Sequence, residues 1–334
     1  LEQIPDEDAW DGETKTEPKS DDEGVYQITS GAELAWFAEL VNKSGSRTKF
    51  QAVLCNDINL GNQEWTPIGM KKNVYRGSFD GGGYKIRGLL VTEAENYAGL
   101  FGIVYGDEKD SIRNLTVAGT VNCSNRVQYA GGLIGYIYGK NDGQRPSVQD
   151  CHNEASVTVR EVRISSSAIG GIAGRAEFTW FRNCSNTGTV SFPTEGKGGI
   201  HYYAGGLIGS TGLSISLRRS YNSGSVQADS SAGGLVGKLA GSGAKVTSCY
   251  NSGEVKSKRY AGGLVGRIGS EAAGSQVSWC YNCGPINLNI NGRYMGAIFG
   301  GMEAGDYENL FALKRTDQPD RAMVGYSADF TSPG

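Results

Sequence analysis

A seven-residue phrase, Tyr-Ala-Gly-Gly-Leu-Val-Gly, recurs along most of this chain and constrains its fold more than any other feature. It is complete at residues 260–266. Altered copies occur at six other places, and the final glycines of successive copies are 33, 39, 35, 28, 29 and 34 residues apart. A period of roughly 20 to 50 residues is typical of repeat architectures. The final glycines are Gly102, Gly135, Gly174, Gly209, Gly237, Gly266 and Gly300.

A second phrase accompanies the first in most repeats. Residues 249–255 read Cys-Tyr-Asn-Ser-Gly-Glu-Val, and they match residues 184–190, 220–226 and 280–286, with a looser copy at 151–157. Each phrase is a short run with aliphatic members bounded by Gly, Asn and Ser, which is typical of strands joined by turns. No copy has the 3.6-residue periodicity of a helical repeat. The repeats are therefore predicted to be all strand and turn.

Two all-β repeat folds have periods in this range, the propeller and the β-solenoid. A propeller blade needs about 40 to 45 residues, whereas two of the units here have only 28 and 29. The uneven step also favours a solenoid, since one coil accepts an inserted loop without disturbing its neighbours. The predicted fold is an all-β, right-handed parallel β-helix of roughly eight to ten coils.

Stacked coils explain why residues recur position by position. Equivalent residues of a parallel solenoid lie about 4.8 Å apart, so inward positions form columns of similar side chains. An aliphatic column and a Val/Ile column are predicted to be core, a Cys/Ser column is small, and an Asn column is predicted to form a corner with bonded amides and left-handed backbone. The glycines supply positive φ or leave room between coils. The columns are Leu100, Leu133, Ile172, Leu207, Leu235, Leu264 and Ile298; Val157, Val190, Val226, Val255 and Ile286; Cys151, Cys184, Ser220, Cys249 and Cys280; and Asn153, Asn186, Asn222, Asn251 and Asn282.

The chain divides into four parts. Residues 1–24 form an acidic linker or lead-in in which Trp10 is expected to dock on the body, and residues 25–96 hold a capping helix and the first irregular coils. The repeats occupy residues 97–300, and residues 301–334 form a partial coil or tail. Residues 30–33, Ser-Gly-Ala-Glu, resemble a capping box that begins an amphipathic helix over about 32–42. This helix is predicted to cover the open end of the solenoid.

Charge and hydropathy exclude two classes of partner. Thirty-two Lys and Arg residues against 35 Asp and Glu residues give a net charge of −3, which offers no general attraction for nucleic acid. No apolar run approaches the roughly 18 residues of a membrane span, so no membrane insertion is expected in this segment. The chain opens without a signal peptide pattern, so it is expected to be a mature fragment flanked by further domains.

The Ala-Gly-Gly-Leu-Ile/Val-Gly copies resemble the GLUG motif of bacterial cell-surface and secreted proteins. These include adhesin-like proteins and non-catalytic regions of some immunoglobulin-A-cleaving proteases. The lead-in, with Trp-Asp-Gly at 10–12, Glu-Leu-Ala-Trp-Phe-Ala at 33–38 and Trp-Thr-Pro-Ile-Gly at 65–69, is similar to the start of β-helix regions in large surface proteins of gut-type bacteria. The resemblance covers about residues 10–300 and implies a β-helix at the cell surface or secreted. It implies no single activity.

Catalytic and metal-binding patterns are weak. One Cys-x-x-Cys pair, Cys280 and Cys283, falls short of the four ligands of a structural zinc site, so no metal or other cofactor is predicted. The seven cysteines are expected to be mainly reduced and buried. Polysaccharide cleavage needs clustered carboxylates, and the candidates occupy unlike positions in their repeats, which favours a protein that is not an enzyme. These candidates are Asp80, Asp150, Glu177 and Glu254.

Tyrosines give the one candidate ligand surface. Tyr221, Tyr250 and Tyr281 share one repeat position next to the Cys/Ser column, so by alternation they are predicted to point outward and stack, with Arg219 and Arg267 nearby in sequence. Such a ladder either binds a glycan or an extracellular protein or simply stabilises the sheet. The predicted function is a non-catalytic, adhesin-like binding module. A β-helical carbohydrate-active enzyme and an inert stalk remain alternatives.

Overall fold

The computed structural model describes residues 8–45, 48–123, 127–160, 166–192, 201–288, 294–312 and 324. Within them the chain is an all-β parallel solenoid of about six turns with one short helix near its N-terminus. The first elements are β1 (Lys19–Ser20), β2 (Val25–Ile28), α1 (Gly31–Lys43), β3 (Gln51–Leu54), β4 (Ile58–Asn59), β5 (Phe79–Asp80) and β6 (Lys85–Val91).

The regular coils follow, each built from short strands separated by Gly, Asn and Ser corners. They are β7 (Asn96–Ala98), β8 (Phe101–Gly106), β9 (Ser111–Cys123), β10 (Val127–Gly131), β11 (Ile134–Gly139), β12 (Ser147–Asn153), β13 (Ser156–Val159), β14 (Ser166–Gly170), β15 (Ala173–Glu177), β16 (Trp180–Arg182), β17 (Ser185–Asn186), β18 (Val190–Ser191), β19 (His201–Gly205), β20 (Ile208–Thr211), β21 (Ser216–Arg218), β22 (Tyr221–Asn222), β23 (Val226–Ala228), β24 (Ser231–Gly233), β25 (Val236–Leu239), β26 (Lys245–Thr247), β27 (Tyr250–Asn251), β28 (Val255–Ser257), β29 (Tyr260–Gly262), β30 (Val265–Ile268), β31 (Gln276–Asn282), β32 (Ile286–Leu288), β33 (Tyr294–Gly296), β34 (Phe299–Met302) and β35 (Asp306–Ala312).

These strands form three sheets that run along the solenoid. Sheet 2 stacks β7, β10, β14, β19, β24, β29 and β33, and sheet 3 stacks β8, β11, β15, β20, β25, β30 and β34. The other 21 strands form sheet 1, in which β1 and β2 pair antiparallel while the later coils pair in parallel. Equivalent repeat positions are register partners, as in Tyr221↔Tyr250 and Tyr250↔Tyr281.

About six turns is fewer than the roughly eight to ten coils that repeat counting predicts. The difference lies at the N-terminal end. Residues 25–91 contribute strands β2 to β6 to sheet 1 alone, and towards sheet 3 they form only isolated bridges such as Ile68↔Phe101. Among the described residues of this segment, strands therefore form only the sheet 1 side of a coil, and sheets 2 and 3 begin with β7 and β8.

The aliphatic column forms the centre of the core, as predicted. Its seven members are fully buried. The backbone N–H of Leu207 donates to the carbonyl of Leu235 at 2.9 Å, and that of Leu235 donates to Leu264 at 2.8 Å. Equivalent side chains thus stack directly above one another and exclude water along the whole axis.

The two adjacent glycines of the phrase make room rather than supply positive φ. A Cβ on Gly262 would lie 1.9 Å from the carbonyl oxygen of Val265, so the chain can fold back there only without a side chain. A Cβ on Gly263 would lie 2.1 Å from the carbonyl oxygen of Ala297 and 2.4 Å from the side-chain nitrogen of Asn282. The second glycine of the phrase therefore leaves room for both the backbone of the next coil and the Asn column.

The Asn column forms a continuous hydrogen-bonded ladder, as predicted. Each Nδ2 donates to the Oδ1 of the next Asn, at 2.7 Å for Asn153 to Asn186, Asn186 to Asn222 and Asn222 to Asn251, and at 2.8 Å for Asn251 to Asn282. Each Nδ2 also donates to the carbonyl two residues further on. Buried amides with these partners avoid the cost of unpaired polar groups.

The prediction of left-handed backbone for the Asn column is wrong. The Asn column is not left-handed, and the positive φ occurs instead at the residue before each Cys or Ser, for example φ +50° at Arg219 and +54° at Trp279. The exposed kink lies one residue before the inward Cys/Ser position. Members of this column are Asn114, Asp150, Asn183, Arg219, Ser248, Trp279 and Asn309.

Helix α1 caps the solenoid near the predicted bounds. Ser30 is its N-cap and accepts a hydrogen bond from the Glu33 N–H at 3.3 Å. The Glu33 carboxylate, however, accepts from the backbone and hydroxyl of Thr29 rather than from Ser30, so the capping box is displaced by one residue. Trp10 is buried against the body and packs edge-on to Trp65 at 5.8 Å.

Residues 75–84 form a corner of a coil. Strands β5 and β6, on either side of the Asp80-Gly81 turn, do not pair with each other; both pair in parallel with β9. The Asp80 carboxylate accepts from Gly82 N and Asn114 Nδ2 and forms an ion pair with Arg113. It is thus a turn residue that also joins two coils.

Candidate functional site

The predicted tyrosine ladder is present on the outer face of sheet 1. The rings of Tyr221 and Tyr250 are 4.9 Å apart and those of Tyr250 and Tyr281 are 5.0 Å apart, with 4° between the planes in each pair. The same row continues to Phe311, which is 63% exposed and is the register partner of Tyr281. Sequence analysis missed Phe311 because its repeat has lost the Asn and Gly that mark the others.

This stacking limits what the ladder can bind. A ring that lies parallel to its neighbours at about 5 Å has both faces covered, so Tyr250 presents only its edge and hydroxyl to solvent. A sugar ring packs against an open aromatic face. For Tyr250, the geometry therefore favours a stabilising role over a stacking platform.

The two predicted arginines lie on different faces. Arg219 is exposed on sheet 1 beside the ladder, in the left-handed column. Arg267 lies on β30 of sheet 3, where it pairs with Glu303 and its guanidinium lies 5.4 Å from the Tyr260 ring centre. The structure thus brings Arg219 together with the tyrosines and separates Arg267 from them.

A groove of about 630 Å³ lies on the same face of sheet 1, beside the start of the ladder. One outward row explains its shape: Trp180 on β16, Ser216 on β21 and Lys245 on β26 are successive register partners. Two large side chains thus flank a small one across two strand spacings, roughly 10 Å. Trp180 is 51% exposed and makes no ring contact with any described residue.

An inserted loop closes one side of the groove. The Arg145 side chain donates to the Asp142 carbonyl at 2.9 Å and forms an ion pair with the Asp142 carboxylate. It also donates to the carbonyl of Ser214 at 3.0 Å, two coils further along. Arg145 is thereby fixed in place and holds the loop against the groove.

The next outward row adds two unpaired cations. Arg182 and Arg218 are exposed register partners that line the groove. Lys245 completes the set at the far side. None of the three has a carboxylate partner among the described residues. The groove therefore combines an open indole face with three available positive charges.

The repeat pattern does not predict this groove. Its strongest sequence signal is the longest step between the glycines, 39 residues, which indicates an insertion between Gly135 and Gly174. Trp180 is not part of a recurring phrase, so column analysis passes over it. The pairing register of β16 with β21 is needed to show that Trp180 lies beside Ser216.

The carboxylates that were considered for catalysis each have a separate local partner. Asp150 accepts from Asn183 at 2.8 Å, Glu177 pairs with Arg175, and Glu254 pairs with Lys256. In the described ranges, no three His, Cys, Asp or Glu side chains are grouped so as to hold a metal ion.

The column thiols are buried. Burial raises the pKa of Cys184 to about 12 and that of Cys151 well above its usual range. A thiol that stays protonated is a poor nucleophile. Cys151 and Cys184 are therefore poor nucleophiles, whereas a hydrogen bond with the Cys249 side chain lowers the pKa of the Cys280 thiol.

A larger hollow of about 720 Å³ lies by the capping helix near Trp10 and Asp11. The Asp11 carboxylate accepts hydrogen bonds from the Thr14 side chain and from the backbone of Thr14 and Glu13, and these lower its pKa. Its oxygens are thus committed to its own loop. The groove on sheet 1 has the stronger features of a site.

Comparison with known proteins identifies the repeat. The family model described as the GLUG motif matches residues 165–191. The chain carries a GLUG motif on a parallel β-solenoid. The matched segment spans β14 to β18 and so forms one coil of the GLUG solenoid. Trp180 and Arg182 of the groove belong to that coil.

Two known proteins are similar to this GLUG solenoid. A protein of Evansella cellulosilytica named "Putative Gly-rich membrane protein" is 34% identical over 128 residues, which make up 36% of this chain and 14% of that protein. The crystal structure of a "putative immunoglobulin A1 protease" from Bacteroides ovatus superposes with a TM-score of 0.57 at 19% identity, covering 89% of this chain and 86% of that one. At that identity the likeness is one of fold.

Within the described ranges, the single α-helix has 13 residues, which is too short to cross a bilayer.

Proposed function

We propose that this GLUG solenoid is a non-catalytic, adhesin-like binding module of a cell-surface or secreted protein, and that its ligand is a glycan held in the groove beside Trp180. The observation that carries the proposal is the exposed indole at the edge of a groove about 630 Å³ in volume. Sugar rings pack their C–H faces against such aromatic surfaces, and nearby polar groups fix their orientation.

The carboxylates of the groove favour binding over cleavage. Glycosidases place two carboxyl groups within about 10 Å of each other across the scissile bond. Among the described residues that line the groove, Asp142 is the one carboxylate, and it is paired with Arg145. A ligand held there has no acid and base pair to act on it.

The surface or secreted location is part of the proposal. It is supported by the GLUG motif, by a relative whose name describes a membrane protein, and by the shared fold of a protein named for cleavage of an extracellular antibody. This chain spans 14% of the relative's length, so the role of any whole protein around it belongs to the proposal as well.

A glycan array tests the proposal with two matched tryptophan variants. Trp180→Ala removes the indole of the groove, and Trp279→Ala removes an indole that is 61% exposed, three coils away on the same sheet. We expect the wild type and Trp279→Ala to bind the same glycans and Trp180→Ala to lose them. Binding to no glycan would favour a stalk, and equal loss in both variants would place the site elsewhere. Hydrolysis of a bound glycan would favour the enzyme alternative.

A further inference from the structure

We infer that the glycan bound by this groove is acidic, and that Arg182 and Arg218 together bind its carboxylate or sulfate group. This inference rests on the proposed function and adds the chemical class of the ligand. It is carried by the charges of the groove, which are independent of the indole.

The two arginines form a like-charge pair that nothing in the described chain neutralises. They are direct register partners on β16 and β21, so their Cα atoms are about 4.8 Å apart. Like charges at directly opposed positions of a sheet destabilise it. Elsewhere in this row the sequence avoids the problem: Arg113 has Asp80 as its partner, and Gln149 and Thr247 are neutral.

The neighbouring positive charge adds to the pair. Lys245 lies on the far side of the groove and also lacks an acidic partner among the described residues. Asp142 has its carboxylate in an ion pair with Arg145, so it does not cancel these charges. The net effect is a local excess of positive charge on a chain whose overall charge is −3.

The spacing suits a single acidic sugar. Trp180 and Arg182 are two residues apart on one strand, so they face the same side with about 7 Å between their Cα atoms. A sugar ring packed on the indole can therefore direct an acidic substituent to the guanidinium groups. Guanidinium groups bind carboxylates and sulfates through paired N–H donors, and two adjacent guanidiniums supply more donors than one anion needs.

Titration calorimetry with three oligosaccharides tests the inference: an oligogalacturonide, a sulfated galactan oligomer and a neutral galactan oligomer of similar length. We expect at least one acidic oligomer to bind about tenfold or more tighter than the neutral one, because charge-assisted hydrogen bonds discriminate by about that factor. The two acidic probes separate a carboxylate from a sulfate site.

Charge-matched variants complete the test. Arg182→Gln and Arg218→Gln should each weaken binding of the acidic oligomer about tenfold. Arg259→Gln removes the same charge from an exposed position by Tyr260, remote from the groove, and should change affinity less than about twofold. Unchanged circular dichroism confirms that each variant is folded.

Several outcomes overturn the inference, and one of them also removes the proposed function. Equal affinity for neutral and acidic oligomers, with dependence on Trp180 retained, refutes the acidic class and leaves glycan binding intact. Equal losses of affinity in all three arginine variants would indicate nonspecific electrostatic attraction and would refute a specific anion site at Arg182 and Arg218. Absence of binding to all three oligomers and to the array removes both.

Discussion

The Asn ladder offers the sharpest test of how the coils are held together. Asn222 is fully buried at its centre. Its Nδ2 donates to the Gly224 carbonyl at 2.8 Å and to Asn251 Oδ1 at 2.7 Å, while its Oδ1 accepts from Asn186 Nδ2 at 2.7 Å. Asn222→Ala removes the side-chain donor of the Gly224 carbonyl, and it removes one of two hydrogen bonds from Asn186 Nδ2 and from Asn251 Oδ1. At about 1–3 kcal/mol for the carbonyl and about 0.5–1.5 kcal/mol for each of the other two lost bonds, the expected loss is about 2–6 kcal/mol.

Urea denaturation followed by circular dichroism measures this loss. Ser223→Ala is the control, since Ser223 is the adjacent residue and is exposed, and a change of less than about 0.5 kcal/mol in the free energy of unfolding is expected for it. If Asn222→Ala unfolds at the same urea concentration as the control, the ladder does not stabilise the stack and the packing argument is wrong.

Four further predictions concern the tyrosine ladder, the left-handed backbone and the thiols. Tyr250→Ala should lower the free energy of unfolding by about 1–3 kcal/mol, since two stacked pairs are lost, while calorimetry shows unchanged glycan affinity. Ser248→Gly should raise stability in urea by about 0.5–1 kcal/mol, because φ is +56° there and glycine adopts it without strain; a loss would contradict the strain. Burial raises the pKa of Cys184 to about 12, so the unfolded chain ionises first and the stability that this thiol contributes should fall as the pH rises from about 9 towards 12. At pH 8, mass spectrometry should find iodoacetamide on the exposed Cys55 well before Cys184, and equal labelling would contradict the burial.

Repetition made the interior predictable. Leu133, Leu207 and Leu264 recur at one position of the repeat, and stacking in register then follows from the spacing of parallel strands. The same reasoning predicts the Asn ladder, because equivalent Asn residues stack at the same spacing. The backbone conformation of the Asn column was not predictable in this way. An Asn in a corner phrase suggests a left-handed residue, but here each Asn side chain is hydrogen-bonded at a buried strand end. The positive φ occurs at the residue before the Cys/Ser position instead.

The surface was less predictable, because the exposure of an outward side chain depends on which residues are its register partners on the neighbouring coils. The outward position of Tyr221 follows from alternation along one strand. Trp180 stands between two small register partners, Ser147 and Ser216, on the neighbouring coils, and insertions of unequal length hide that alignment in the sequence. Arg267 lies close to Tyr281 in sequence, but the strands that carry them, β30 and β31, belong to different sheets. The right-handed sense of the coil stays a prediction.

The central claim is that one coil of the GLUG solenoid presents Trp180 to an acidic glycan. Nuclear magnetic resonance tests it directly, because the five tryptophans give separate indole N–H signals that single Trp→Ala variants assign. When the acidic oligosaccharide that calorimetry selects is added, the signal of Trp180 should shift in proportion to the bound fraction while that of Trp279 stays in place. A Trp180 signal that does not move at saturating oligosaccharide would contradict the account.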